Sequence, residues 1–386
     1  MTRAAPLSAR RAPTRRAATG VAATVPAVQI PVDPRPDIAA LEGYHSAQVD
    51  VDIRLNTNES PFAPPESFVD AWLDRVRASA LHRYPDRAAA ELREGIARQF
   101  GQPTERVFVA NGSNEVLQSL LLAYAGFERT ALVFEPTYAL HSHITRITGT
   151  NLAVAPRGKN FEIGAAAASL AVARYQPNVT FVCNPNNPTG TVEPFDTVDA
   201  IASATTGLVV IDEAYGEFAA ESMIDRVDEQ RPFVVVRTFS KVWSLAGVRL
   251  GFCIAPEWAV TELEKVALPY RLSVASQLAG VEALAFQAEM RDRVGRLVEE
   301  RERLYEALAA KPSIDVFPSG ANFLLFRAAG SPDPGRGRAL WQHLLDQSVL
   351  VRDFSHWPGV EGCLRVTVGT PEENDAFLAA LATSEP

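Results

Sequence analysis

The sequence predicts an α/β protein built on a mainly parallel sheet, and three observations carry that expectation. Short, almost wholly apolar runs of strand length recur at residues 131–134, 179–183, 208–211 and 233–236, the pattern of strands buried on both faces. Helical or Pro/Gly-rich segments separate these runs, as crossovers between parallel strands require. Polar residues also follow the runs directly, at the strand ends where such sheets hold their ligands.

Taken in order, residues 1–36 stand outside the pattern. They hold six arginines and one acid among Ala, Pro and Thr, without apolar periodicity, which predicts a disordered basic tail. Arg10-Arg11 and Arg15-Arg16 precede residues 17–30 as in a twin-arginine export signal, but Thr24 and Pro26 interrupt that stretch and favour a plain tail. From Asp37 onward helices and strands alternate. Residues 89–100 and 114–124 place Leu, Val and Ile at three- and four-residue intervals and read as helices. After Pro269 comes a long helical region, densest at 291–308, then strands at 322–326, 349–352 and 363–368 and a helix at 371–381. The expected division is a tail (1–36), an arm (37–60) joining the small domain, a large domain (61–270) and a smaller α+β domain (271–386).

Composition excludes several classes. A chain of 386 residues that is 47% hydrophobic can bury a sizeable core, and a net charge of −9 argues against nucleic acid as partner. No run approaches the ~20 apolar residues of a membrane span. Cys183, Cys253 and Cys363 are too few and too dispersed for a disulfide framework or a metal knuckle, so a reduced, cytoplasmic protein is expected. No GxGxxG, P-loop, GxSxG or HExxH occurs. The six histidines are scattered, His141 and His143 read as a surface pair, and no metal is expected.

Three strand ends and one helix start carry candidate chemistry. The run 208–211 leads straight into Asp212, with Tyr215 beyond it; a carboxylate there costs free energy unless a cation or donor meets it, although a turn or helix cap would also account for it. The run 233–236 leads to Ser240 and Lys241, with Arg249 eight residues further. Only four of the 37 basic residues are lysines, and Lys159, Lys265 and Lys311 read as structural. A lysine at the mouth of a sheet beside another cation has a lowered pKa, which suits a Schiff-base nucleophile. Residues 183–190 (CNPNNPTG) form a rigid turn that fixes amide side chains such as Asn187, or a plain loop. Residues 110–115 (ANGSNE) open a helix whose free amides suit a phosphate, or a simple cap.

In this order GSNE, Pro136-Thr137-Tyr138, NPNNPTG, DEAY (212–215) and Ser240-Lys241 with Arg249 resemble the fold-type I aminotransferases, which use pyridoxal phosphate. The pieces RLNTNE (54–59), HRYPD (82–86), DEAYGEF (212–218), LPY (268–270), ANFLLF (321–326) and LRVTVGT (364–370) narrow the resemblance to the histidinol-phosphate aminotransferase family, from about residue 40 to the end. The resemblance implies an α/β fold with a large domain on the mainly parallel sheet and a smaller α+β domain. It implies that Lys241 carries the cofactor as a Schiff base and moves the substrate proton. Asp212 would face the pyridine nitrogen, Asn187 and Tyr215 the phenolic oxygen, and Tyr138 the ring face. Gly112, Ser113, Asn114, Ser240 and Arg249 would hold the cofactor phosphate, with Tyr84 reaching it from the other subunit of a homodimer. Arg365 would read the carboxylate of glutamate or 2-oxoglutarate, and Arg352 the phosphate of L-histidinol phosphate. Asn58, with its neighbours from Asn56 to Phe62, would form substrate wall. The implied activity is amino-group exchange between L-histidinol phosphate and 2-oxoglutarate in histidine biosynthesis. The alternatives are an aromatic amino-acid (phenylalanine) aminotransferase and a pyridoxal-phosphate-dependent decarboxylase of a phosphorylated amino acid. A transcription regulator is excluded because 36 residues cannot hold a DNA-binding domain. Val242-Trp243-Ser244 departs from the family's usual Ala-Phe after the lysine, so Trp243 either narrows the site or packs below it.

Overall fold

The computed structural model describes residues 32–43, 48–330 and 332–384. The expected basic tail and its export-signal alternative lie, up to residue 31, outside the described residues. The described residues divide into two units, one ending at Leu41 and one beginning at Glu42. In the first, the described residues form one short helix, α1 (Pro36–Ala39), opened by a proline whose missing N–H costs nothing there.

The second unit begins with β1 (Ile53–Leu55), α2 (Glu66–Ala78) and α3 (Ala90–Phe100). An alternating run follows: β2 (Val107–Ala110), α4 (Ser113–Tyr124), β3 (Thr130–Glu135), α5 (Ala139–Ile147), β4 (Asn151–Pro156), α6 (Ala165–Tyr175), β5 (Val179–Cys183), α7 (Phe195–Ala204) and β6 (Leu208–Asp212). Then come β7 (Phe233–Thr238), β8 (Gly251–Ile254), α8 (Glu257–Val266), α9 (Val274–Ala285) and α10 (Gln287–Ala309). The last part holds β9 (Ile314–Val316), β10 (Phe323–Ala328), α11 (Pro334–Asp346), β11 (Val349–Asp353), β12 (Cys363–Thr367) and α12 (Pro371–Ala382).

Seven strands form the larger sheet in the order β2-β8-β7-β6-β5-β3-β4. Its strands pair in parallel except β8, which is antiparallel to both β7 and β2. No crossover helix separates β7 from β8, so β8 returns beside β7 in the opposite direction. The period-two side-chain alternation divides the core between the two faces. Val209, Ile211, Phe233 and Val235 belong to one apolar cluster, and Leu208, Val210, Val234 and Val236 to the other. β2, β4 and β8 were not among the apolar runs that predict strands; β4 is an edge strand of mixed exposure.

The smaller sheet has the order β1-β11-β12-β10-β9, with β1 parallel to β11 and the other pairs antiparallel. β1 thus leaves its sequence neighbours and pairs with a strand near the C-terminus, Ile53 opposite Val349. β12 feeds α12 through a capping box, in which Thr370 accepts from the Glu373 amide and the Glu373 carboxylate accepts from the Thr370 amide.

The carboxyl ends of β2, β3, β5, β6 and β7 lie along one edge of the larger sheet, since two antiparallel steps through β8 return β2 to the direction of β7. Among the described residues, no helix is long and apolar enough to cross a membrane.

Candidate active site

A cavity of about 390 Å³ opens at those strand ends. The larger sheet contributes Ser113, Asn114, Tyr138, Asn187, Asp212, Tyr215, Ser240, Lys241 and Arg249, and the smaller sheet with its incoming arm contributes Asn58, Arg352 and Arg365. The described structure therefore brings nearly every sequence-predicted residue to one place. Gly112 is adjacent, at the N-cap of α4. Tyr84 is elsewhere: its side chain is 79% exposed and stacks on Tyr270, with ring centroids 4.4 Å apart.

Lys241 lies three residues beyond the end of β7, with its Nζ donating to the Thr57 carbonyl at 3.0 Å. Loss of water around the ammonium, with repulsion from Arg365 and Arg249 outweighing attraction to Glu59, brings its pKa down to about 7. A lowered pKa means that the amine is neutral above about pH 7, and only a neutral amine attacks an aldehyde. Covalent capture of added pyridoxal phosphate by the cofactor-free protein is therefore expected to accelerate with a midpoint near pH 7. It should level off by about pH 9, whereas an unperturbed lysine near 10.4 keeps accelerating. Following absorbance after mixing, across pH, checks this; acceleration still rising at pH ~10 would exclude a depressed Lys241.

Asp212, the last residue of β6, is buried and doubly held. Its Oδ1 accepts from the Ala214 amide at 3.1 Å, and its Oδ2 lies 2.9 Å from His141 Nε2. His141 corrects the surface-pair expectation. It is buried, its ring is stacked on Phe181 at 4.8 Å, and Tyr138 meets it edge-on at 5.4 Å. The signal available in the sequence was its place three residues after Tyr138, one turn into α5. The loop after Asp212 is fixed by Arg237, buried between Glu213 and Glu217, while Glu213 also accepts from the Met223 amide.

Within that loop Tyr215 accepts from Asn58 Nδ2 at 2.9 Å and from Asn187 Nδ2 at 3.5 Å. Burial pushes its pKa up to about 12, against the opposing effect of Arg365 and the Asn58 bond, so the phenol keeps its proton. With both lone pairs engaged, that proton is left for a further acceptor. Asn58 has a left-handed backbone (φ 54°), and its amide donates to Thr367 Oγ1 at 2.9 Å, tying the arm to β12.

The opposite corner is cationic and rich in donors. The N-terminus of α4 carries no side-chain cap, so the Ser113 and Asn114 amides stay available, while the Glu115 amide donates to the Gly112 carbonyl and its carboxylate accepts from the Asn111 amide. Gly112 suits the turn, since its φ is +84°, and a Cβ would stand 2.6 Å from Arg249 Nη2 and push the guanidinium aside. Arg249 Nη1 donates to Ser240 Oγ at 3.4 Å, and Thr238 Oγ1 donates to the same oxygen at 3.0 Å. Uncapped amides, two hydroxyls and a guanidinium converging where a side chain would not fit make a phosphate cradle. A buried carboxylate, an outward phenol proton and a near-neutral amine complete a donor set that fits pyridoxal phosphate. Among the described residues no group of three or more His, Cys, Asp or Glu could hold a metal ion.

Arg352 and Arg365 are direct cross-strand partners on β11 and β12. Like charges placed opposite each other repel, and an anion lying between them relieves the repulsion. Arg365 is buried, donating to Asn187 Oδ1 and to the Asn56 carbonyl. Of the expected wall, Asn56, Thr57, Asn58 and Glu59 line the cavity, but Ser60, Pro61 and Phe62 do not. Ser60 meets Ser244, and Phe62 packs on the core beneath Arg293 and Arg296. Trp243 stays out of the cavity as well, buried against Phe239 at 5.3 Å. Phe354 and Trp357 do line it, although no motif in the sequence pointed to them.

Comparison with known proteins agrees with this geometry. The sequence pattern of "Aminotransferase class I and II" matches residues 50–381. The chain is 43% identical over 357 residues to the histidinol-phosphate aminotransferase of Corynebacterium diphtheriae, covering 90% of this chain and 94% of that one. It is 42% identical over 358 residues to the one from Thermobifida fusca, covering 91% and 95%. Among solved structures, histidinol-phosphate aminotransferase from Sinorhizobium meliloti in complex with pyridoxal-5'-phosphate shares the fold, with a TM-score of 0.81, 23% identity, and coverage of 90% and 95%. This chain belongs to the class I and II aminotransferases and, within them, to the histidinol-phosphate aminotransferase family.

Proposed function

We propose that the protein exchanges an amino group between L-histidinol phosphate and 2-oxoglutarate, yielding imidazole-acetol phosphate and L-glutamate with pyridoxal phosphate as cofactor. The observation that carries this reading is the Arg352–Arg365 pair facing the cavity that holds Lys241. One partner substrate bears a phosphate and no carboxylate and the other is a dicarboxylate, so a site with two guanidiniums can serve both.

Gly112, Ser113, Asn114, Ser240 and Arg249 would hold the cofactor phosphate, Asp212 the ring nitrogen, Asn187 and Tyr215 the ring oxygen, and Tyr138 the ring face. When bound, the cofactor supplies a sink for the electron pair left on the substrate's α-carbon. Lys241 Nζ would take the α-proton of the bound donor and return it, which its lowered pKa allows near neutrality. Asp212, oriented by His141 and Ala214, would hold a proton at the ring nitrogen. Arg365 orients the carboxylate of glutamate or 2-oxoglutarate, and Arg352 the phosphate of the amino donor.

The same reading makes residues 61–270 the cofactor-holding domain, and residues 271–386 with the 37–60 arm the smaller one. In support, the larger sheet runs from Val107 to Ile254, whereas the smaller takes β1 and the strands from Ile314 onward. It makes the enzyme a homodimer, with Tyr84 directed at the partner's cofactor phosphate; the outward, exposed ring of Tyr84 supports this. Cytoplasmic residence is consistent with three buried cysteines that form no disulfide.

Stopped-flow half-reactions test the function. Holoenzyme mixed with L-histidinol phosphate or L-glutamate should lose the absorbance of lysine-bound cofactor rapidly, and L-phenylalanine should act slowly; phenylalanine fastest would transfer the protein to the aromatic aminotransferases. Arg352→Ala is expected to lower reactivity with histidinol phosphate about 100-fold and with phenylalanine about threefold or less, as loss of a charged anion contact implies. Equal losses would show that Arg352 does not read phosphate.

A further inference from the structure

We propose that Phe354 and Trp357, on the loop between β11 and β12, form the wall that reads the flat ring of the amino donor. The proposal rests on the reading of the cavity as a transamination site and adds the group that selects the ring-bearing substrate. The loop leaves β11 directly after Arg352-Asp353 and re-enters the sheet at β12, so it is built between the two arginines that face the cavity. It is held at both ends: the Ser355 amide donates to Asp353 Oδ1 at 2.8 Å, and the Gly362 amide to the Ser355 carbonyl at 2.8 Å. The Trp357 amide donates to the Phe354 carbonyl at 2.8 Å, folding the two rings together edge-to-face with centroids 5.7 Å apart.

The loop also spans the site. Gly359, with φ +83°, sits so close to Pro136 that a Cβ would stand 3.0 Å from its Cδ, and Pro136 lies in the turn that carries Tyr138. A loop of the smaller sheet thus touches the larger sheet at the cavity's border. Phe354 is buried and Trp357 half-buried, and both face the cavity. The Arg365 and Arg352 guanidinium carbons lie 5.4 and 5.9 Å from the Phe354 ring centroid, so the anion readers and the aromatic pair are neighbours.

Two other aromatic residues line the cavity, Tyr138 and Tyr215, and the proposed function gives both to the cofactor, Tyr138 to its ring face and Tyr215 to its phenolic oxygen. Phe354 and Trp357 are the remaining aromatic faces among the described lining residues. A planar heteroaromatic ring gains from stacking on, or meeting edge-on, an indole, and gains more when protonated. Glutamate has no ring and gains nothing from that face. The wall should therefore separate the two half-reactions, favouring the donor that carries both an anion and a ring.

The test is single-turnover kinetics on the holoenzyme and on Trp357→Ala, Trp357→Phe and Phe354→Leu, with L-histidinol phosphate, L-phenylalanine and L-glutamate as donors. In Trp357→Ala the reactivity ratio of histidinol phosphate to glutamate should fall about 10- to 100-fold, chiefly through weaker apparent binding. Trp357→Phe should restore the ratio to within about threefold, and Phe354→Leu should lower it in the same direction. Equal losses with all three donors, an unmoved ratio, or no rescue by phenylalanine at position 357 would overturn the proposal. If the unmutated enzyme reacts with phenylalanine but ignores histidinol phosphate, the proposed substrate fails while the ring wall is judged on the phenylalanine-to-glutamate ratio. If it accepts neither ring donor, both fail.

Discussion

Lys241→Ala should yield a folded protein that binds pyridoxal phosphate without a covalent link and transaminates about 10⁴-fold more slowly, because one substitution removes both nucleophile and proton carrier. No other lysine can replace it. Lys159, Lys265 and Lys311 do not line the cavity, and Lys265 is bound to Glu262 at 2.6 Å. Mass spectrometry after borohydride reduction reads the covalent link, and turnover with saturating donors reads the rate. A variant that still takes up one reduced cofactor, or retains more than about a hundredth of the rate, would remove Lys241 from the centre of the chemistry.

Asp212→Asn should be the next most damaging change, and its two effects should point in opposite directions. The amide has the carboxylate's shape and can keep the contacts to the Ala214 amide and His141, but it carries no charge to hold a proton at the ring nitrogen that Asp212 is proposed to face. The half-reaction should slow about 10³-fold while the cofactor remains attached to Lys241. Stability without cofactor should be equal or higher, since a buried carboxylate becomes a neutral isostere beside a histidine stacked on Phe181. A rate within about threefold of the parent would show that the charge of Asp212 is not used. A fall in Tm with an intact rate would show that Asp212 serves only the fold.

Much of the site was legible because its residues follow strands of the larger sheet. An apolar run that ends in Asp212, or in Ser240-Lys241, places those side chains at the sheet's carboxyl edge whatever the rest of the chain does. His141 was misread for a complementary reason. A histidine in an amphipathic helix is exposed or buried according to what packs on it, and here Phe181 of β5 and Asp212 of β6 arrive from distant sequence. The same holds for Trp243, whose position two residues after Lys241 left its side undecided until packing against Phe239 placed it outside the cavity lining.

The sequence alone determined the buried strands of the larger sheet's middle, the fold class and the family, since hydrophobic periodicity and short motifs are local and survive without knowledge of contacts. The tertiary structure decided which groups meet. β1 pairs with β11 across nearly 300 residues, carrying Asn58 to Tyr215 and Thr57 to the Lys241 ammonium. The register of β11 against β12 sets Arg352 opposite Arg365, and the loop between them brings Phe354 and Trp357 to the same cavity. Strand pairing and side-chain burial are fixed by free energies summed over distant parts of the chain, so substrate reading emerges only once the two sheets share a border.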